Sequence, residues 1–145
     1  ANSEYYRGNA AKYNQELDRL DAEYRQALAN LARRDIITSH AAFGYLAKRY
    51  NLRQVAIMGL SPDSEPTPDR MAKVITFCRQ HKVKTIFFET VVSPKLSETI
   101  ARETGARLLV LNPVESLTEA ELKQGKGYIS IMRENLVNLK TALSE

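Results

Sequence analysis

Hydrophobic and polar positions in the first third of the chain follow a helical rhythm. Apolar residues recur at spacings of three and four at Leu17, Leu20, Tyr24, Leu28 and Leu31. Such spacing is typical of one apolar face of a helix, and it predicts a long helix over residues 5–33. Because the sequence offers no clear cap before it, we expect this helix to be the continuation of a longer one.

After residue 34 the pattern alternates between short apolar runs and longer amphipathic stretches. The short runs predict four strands, at residues 36–38, 53–58, 85–89 and 107–111. The stretches after these strands predict helices at residues 41–50, from 68, from 94 to about 105, and at 127–143. Strands that alternate with helices are typical of a parallel sheet joined by right-handed crossovers. We therefore predict an α/β fold: a four-stranded parallel sheet flanked by helices and preceded by the long helix.

Composition narrows the functional classes. The 145 residues suit a single domain. The net charge of +4 comes from basic residues scattered among acidic ones, whereas a nucleic-acid site needs a basic patch or stripe, so we expect no nucleic-acid partner. Cys78 is the single cysteine, which excludes an intrachain disulfide and a metal site built on several thiolates. No apolar run approaches the length of a membrane span, and no leader segment is evident.

Polar residues follow the predicted strands at the edge where ligands bind in open parallel sheets. His40 follows the first strand, and Glu65 lies in the loop after the second. Glu89 ends the third strand, and Asn112 and Glu115 follow the fourth. This edge thus gathers one imidazole and several carboxylates from segments that are distant in the sequence. A metal ion or a small polar ligand would suit such a set.

Each of these residues also has a purely structural interpretation. Ser39 would cap a helix whose first residue is His40. Glu65 and Glu89 would interact with the positive ends of the helices that follow them. Glu115 precedes a capping-box pattern, TEAE. The residues alone leave these alternatives open. An enzyme is not expected, because nucleotide-binding glycine motifs and the G-x-S-x-G nucleophile motif are absent from the sequence.

Four segments, taken together, resemble a known family. They are SHAAFGYLAKRYNL, GLSPDSEPTP, TIFFETVVSPKLSETIARETGA and LNPVESL followed by GKGYISIMRENLVNLKTAL. In this order they resemble the metal-binding lipoproteins of bacterial ABC importers, the cluster A-I substrate-binding proteins for zinc and manganese. The likeness covers nearly the whole chain. It is greatest to the zinc-specific surface lipoproteins of streptococci, some of which are also described as laminin-binding adhesins.

The resemblance implies two α/β lobes joined by one backbone helix, with the metal between the lobes. Residues 1–34 would then be the C-terminal part of that helix and residues 35–145 the C-terminal lobe. The N-terminal lobe, which carries two histidine ligands in the family, would be absent. By resemblance, His40 and Glu115 are metal ligands. Many relatives have aspartate in place of Asn112, so Asn112, Glu89 and Glu65 are alternative ligands or residues that support the site.

The function implied by the resemblance is extracytoplasmic capture of a transition metal for delivery to an ABC permease. Zn²⁺ is favoured over Mn²⁺ because imidazole suits zinc, whereas sites made only of oxygen suit manganese. The protein would be a cell-surface lipoprotein or periplasmic. Its other expected partners are the missing lobe, a second copy of the chain around one zinc, and a host extracellular-matrix protein. The alternative is a metal-independent adhesion or protein-docking module.

Overall fold

A computed structural model describes residues 2–60, 66–90 and 93–145. The helices and strands, in chain order, are α1 (Ser3–Leu28), β1 (Asp35–Thr38), α2 (Gly44–Arg49), β2 (Arg53–Ala56), α3 (Pro68–Gln80), β3 (Thr85–Phe88), α4 (Lys95–Thr104), β4 (Arg107–Val110), α5 (Glu119–Lys123) and α6 (Tyr128–Leu143). The four strands are parallel and lie in the order β2-β1-β3-β4. The predicted α/β fold with a four-stranded parallel sheet and a long N-terminal helix is confirmed.

The sheet is buried between two helical layers because successive side chains of a strand point to opposite faces. In β1, Ile36 packs with residues of α1, α2 and α6. Its neighbour Ile37 packs with residues of α3 and α4 on the other face. Both isoleucines are fully buried. The central strands are therefore apolar almost throughout, and polar chemistry is left to the strand ends.

The long helix ends earlier than the sequence pattern predicts. It stops at Leu28 rather than near residue 33. The guanidinium of Arg34 turns back and donates to the carbonyl oxygens of Leu28 and Ala29, at 2.7 and 2.6 Å. A cation that satisfies the last free carbonyls is a favourable helix terminus. None of the helices described has both the length and the apolar character needed to cross a membrane.

The prediction that Ser39 caps a helix starting at His40 is wrong. The helix after β1 begins at Gly44, and the residue that precedes it is Phe43. Residues 39–41 form a bend and residues 42–43 are irregular, so no helical turn begins at His40. The backbone N–H of Ser39 donates to the Phe87 carbonyl at 3.1 Å, so the segment continues alongside β3 before it turns into α2.

Candidate metal centre

The candidate site forms where β1 and β3 end side by side. Both strands run in the same direction, with Thr38 opposite Phe87. Ser39 and His40 follow β1, and Glu89 follows β3, so these three residues meet at the carboxyl edge of the sheet. His40 and Glu89 are each only 2% exposed. Neighbouring parallel strands thus bring together two buried polar side chains that lie 49 positions apart in the sequence.

The imidazole of His40 is fixed by Glu89. His40 Nδ1 lies 2.6 Å from Glu89 Oε1. A carboxylate can only accept hydrogen bonds, so the proton is assigned to Nδ1, and Nε2 keeps its lone pair. The hydroxyl of Ser39 donates to the same Glu89 oxygen. The His40 carbonyl in turn accepts hydrogen bonds from Thr38 Oγ1 at 2.8 Å and from Gln54 Nε2 at 3.0 Å. The ring is therefore held with Nε2 pointing away from Glu89.

Glu115 faces the free nitrogen of the ring. Its Oε1 lies 3.9 Å from His40 Nε2, and its side chain is 59% exposed. This distance is too long for a hydrogen bond. Two ligands bound at ~2.0–2.1 Å from one zinc are separated by about 3.3 Å in tetrahedral geometry and by at most about 4.2 Å. The two atoms are therefore spaced so that a single metal ion fits between them after a small movement of the exposed carboxylate.

The other two predicted residues are placed differently. Asn112 is buried, and its Oδ1 accepts the backbone N–H of Val114 at 2.8 Å. Its amide nitrogen donates to Glu121 Oε1 at 3.2 Å and to Thr90 Oγ1 at 3.3 Å. The amide is thus engaged by its own loop, by α5 and by the segment after β3. Glu65 lies outside the residues that the structure describes. The capping box predicted near Glu115 is present, formed by Thr118 and Glu121.

The described residues supply only part of a candidate metal site. Zinc usually takes four ligands, and within residues 2–60, 66–90 and 93–145 no group of three or more His, Cys, Asp or Glu side chains is arranged to hold a metal. Glu89 is less open to a metal, since one of its oxygens is bonded to His40 and Ser39. The other oxygen, Oε2, is buried without a hydrogen-bond partner among the described residues. The site therefore offers one imidazole nitrogen and one exposed carboxylate.

Sequence reasoning missed two contacts of this centre. The sequence allows Ser39 to be a helix cap, whereas in the structure its hydroxyl donates to Glu89. Asn135 of α6 holds the backbone of Asn112 from both sides, with hydrogen bonds of 2.8 and 2.7 Å. The position of Ser39 directly after a strand was the available signal for the first contact. The second joins residues 23 positions apart and has no local signature.

Comparison with known proteins places these features in a family. A family model described as ZnuA, zinc-uptake complex component A, periplasmic, matches residues 1–142. The high-affinity zinc uptake system protein ZnuA of Bacillus subtilis is 46% identical over 142 residues, which cover 98% of this chain and 44% of that protein. The zinc-binding lipoprotein AdcA of Streptococcus pneumoniae is 44% identical over 137 residues, which cover 94% of this chain and 27% of AdcA.

Solved structures agree with these sequence matches. The Zn(II)-bound ZnuA-like domain of S. pneumoniae AdcA superposes with a TM-score of 0.83 at 42% identity, over 99% of this chain and 54% of that one. The laminin-binding protein Lbp of Streptococcus pyogenes gives a TM-score of 0.86 at 37% identity, over 95% of this chain and 53% of Lbp. The chain thus spans about half the length of these solved chains, and less than half of the two curated relatives.

Proposed function

The chain belongs to the family of ZnuA, the periplasmic component A of zinc-uptake complexes, and on this premise we propose that it takes part in extracytoplasmic capture of Zn²⁺ for delivery to an ABC permease. The observation that carries the proposal is the orientation of His40. Its Nδ1 is bonded to the buried Glu89 at 2.6 Å, and its Nε2 faces the exposed Glu115 carboxylate at 3.9 Å. One nitrogen is fixed, and the other is available to a metal.

The donor set supports zinc over manganese. An imidazole nitrogen and a carboxylate oxygen are both good zinc ligands, whereas manganese prefers sites made of oxygen. His40 contributes a nitrogen that is already oriented, and Glu115 contributes negative charge that offsets the charge of the ion. Zinc is the cargo in this proposal. The protein binds and releases it without making a covalent bond, so it acts as a binding protein rather than as an enzyme.

We assign residues 35–145 to the C-terminal lobe of a two-lobed protein and residues 1–34 to the end of the helix that joins the lobes. The share of the solved relatives that the chain covers, 53–54%, supports this division. Every residue from 2 to 16 is exposed, as expected for a helix whose first half has its contacts elsewhere. The other lobe would supply the remaining zinc ligands. The whole protein would be a cell-surface lipoprotein or a periplasmic protein.

The alternative of a metal-independent adhesion or docking module is less favoured. The family and the two curated relatives are named for zinc uptake or zinc binding. Lbp is named for laminin binding, and for this chain a host matrix protein remains a partner only by that likeness. A second arrangement that completes four ligands is a pair of these chains, with His40 and Glu115 from each around one zinc.

A zinc titration followed by NMR tests the proposal, because the chain has only two histidines. His81 stacks on Phe77 at the far end of α3 and serves as the internal control. We expect zinc to shift the His40 ring signals and the backbone signals around them, and to leave the His81 ring signals in place. In His40→Ala, zinc should no longer shift the surrounding backbone signals. Sedimentation of the same samples with and without zinc reports the paired arrangement, which a monomer in both conditions excludes. A His40 ring unaffected by millimolar zinc contradicts the assigned site.

Glu115→Gln gives a milder test of the carboxylate. The side chain is exposed, so the substitution should leave the fold intact while weakening zinc binding. Glu119→Gln, at a fully solvated position in α5, is the matched control. Equal zinc affinities of the two variants would remove Glu115 from the site.

A further inference from the structure

The backbone directly before Glu115 has an unusual conformation. Val114 has a φ of +61°, in the left-handed region that β-branched residues strongly avoid. The other non-glycine residues with positive φ in the described part of the chain are Asn51 and Lys82, and neither is β-branched. A conformation of this kind persists only where the surrounding structure imposes it. The loop between β4 and α5 must therefore contain contacts that hold Val114 in place.

Asn112 supplies the contact that reaches Val114. Its Oδ1 accepts the Val114 N–H at 2.8 Å, which closes a tight turn. The backbone of Asn112 is itself fixed by Asn135, whose Oδ1 accepts the Asn112 N–H and whose Nδ2 donates to the Asn112 carbonyl. Asn112 and Asn135 are both buried. The turn is thus anchored to α6, which packs against the sheet.

The amide nitrogen of Asn112 is anchored as well. It donates to Glu121 Oε1 at 3.2 Å. The other oxygen of Glu121 accepts the N–H and the hydroxyl of Thr118, at 2.7 and 2.8 Å. These bonds lower the pKa of Glu121 below its usual value, so an anion faces the Asn112 amide. An asparagine satisfies both neighbours, since it accepts from Val114 and donates to Glu121. An aspartate at this position would place two carboxylates against each other.

Glu115 has little else to direct it. Its carboxylate is exposed, and its one ionisable neighbour at ion-pair distance among the described residues is His40, whose Nε2 lies 3.9 Å from Oε1. The direction of its side chain is therefore set by the backbone at residues 114 and 115. A change of Val114 to an ordinary negative φ would rotate the following peptide and turn the carboxylate away from His40.

We propose that Asn112 is a positioning residue of the zinc site: by holding Val114 in the left-handed conformation, it directs Glu115 towards His40. The inference rests on the proposed function, because it takes Glu115 as a zinc ligand. It assigns to Asn112 a role other than ligation, as its Oδ1 is already occupied by the Val114 N–H.

Zinc affinities of designed variants, measured by competition with a chromophoric chelator, test this role. Asn112→Ala should weaken zinc binding by about tenfold, the lower end of what loss of a supporting contact costs a metal site. Adding Val114→Gly should restore most of the affinity, because glycine adopts positive φ without penalty. Val114→Gly alone is the reference against which the double variant is compared. A residue that only stabilised the fold would not be rescued in this way, so a loss that Val114→Gly fails to restore overturns the proposal.

A second variant covers the case in which Asn112→Ala does not fold. Val114→Pro fixes φ near −65° and removes the N–H, yet it leaves the bonds between Asn112 and Asn135 intact. It should weaken zinc binding by about the same tenfold factor, and unchanged affinity overturns the proposal. Glu115→Gln in the same assay distinguishes failure of Glu115 as a zinc ligand from failure of Asn112 as a positioning residue. If it binds zinc normally, the ligand assignment fails; if it alone weakens binding, only the role of Asn112 fails.

Discussion

Replacement of Glu89 by glutamine should weaken zinc binding without unfolding the protein. Glu89 Oε1 accepts hydrogen bonds from His40 Nδ1 at 2.6 Å and from the Ser39 hydroxyl. Glutamine keeps the size of the side chain and one acceptor oxygen, but it loses the negative charge. Its NH₂ group would take the position of Oε2, which is buried without a partner among the described residues. The substitution therefore changes the electrostatics around His40 while preserving the packing.

The substitution should affect zinc affinity more than the unfolding free energy. Carboxylates that orient a metal-bound histidine typically contribute 10–100-fold to affinity, so we expect a loss of about tenfold, or about 1.4 kcal/mol. For folding, the new buried NH₂ group costs about 1–3 kcal/mol. Relief of a buried, half-paired carboxylate offsets a similar amount. The net change in unfolding free energy should stay within about 1 kcal/mol, since these costs oppose each other.

The assay combines chelator competition for zinc affinity with urea unfolding of the zinc-free protein. Nitrogen NMR of the His40 ring adds a direct readout, because it distinguishes a proton on Nδ1 from one on Nε2. The matched control is Glu98→Gln, at an exposed position of α4. If Glu89→Gln binds zinc as tightly as the native chain, the reasoning is refuted. It is also refuted if the loss of affinity merely follows a comparable loss of stability.

Two further predictions concern how α1 is attached to the lobe. Asp21 accepts hydrogen bonds from Arg49 and Arg25, which hold the pKa of its carboxyl well below the usual range. Its contribution to stability is therefore complete above the unfolded-state pKa of about 3.9 and is lost as the pH falls further. In urea titrations, Asp21→Asn should make the unfolding free energy less dependent on pH below pH ~4. An unchanged pH dependence in that range contradicts this prediction. Tyr24→Phe removes the 2.6 Å hydrogen bond from the buried Tyr24 hydroxyl to the Met132 carbonyl. It should cost about 1 kcal/mol of unfolding free energy and leave zinc affinity unchanged. An unaltered urea midpoint would exclude a stabilising role for that bond.

The fold was largely predictable because its signals are local. Short apolar runs mark strands that are buried on both faces, and each is followed by a stretch long enough for a crossover. The order β2-β1-β3-β4 was not predicted. Strand order depends on which faces the crossover helices cover, and that is decided by packing between distant segments. The early end of α1 escaped prediction for a similar reason, since Arg34 returns to cap it from beyond the helix.

At the site, the expectation that polar side chains gather at the carboxyl edge of the sheet succeeded for some residues and could not decide the role of others. It placed His40 and Glu89 at one edge of the sheet, and the structure shows that their strands are neighbours. The alternative of Ser39 as a helix cap came from local sequence signals. The structure has a hydrogen bond from Ser39 to Glu89 instead, because a buried carboxylate needs donors more than an exposed helix end does. For Asn112, the sequence shows a polar residue at the right edge but not the direction of its amide.

The arrangement of the site suits a protein that has to capture a metal and then release it. His40 is oriented before zinc arrives, with Nδ1 bonded to Glu89 and the ring almost wholly buried. Binding at Nε2 therefore needs little loss of side-chain freedom, which favours capture. Glu115, by contrast, is exposed, and in our proposal its direction comes from its loop. Displacement of this one carboxylate would reduce the set to a single ligand from the lobe. Under the proposed function, His40 would determine where zinc binds, and the loop that carries Glu115 would determine how readily zinc leaves.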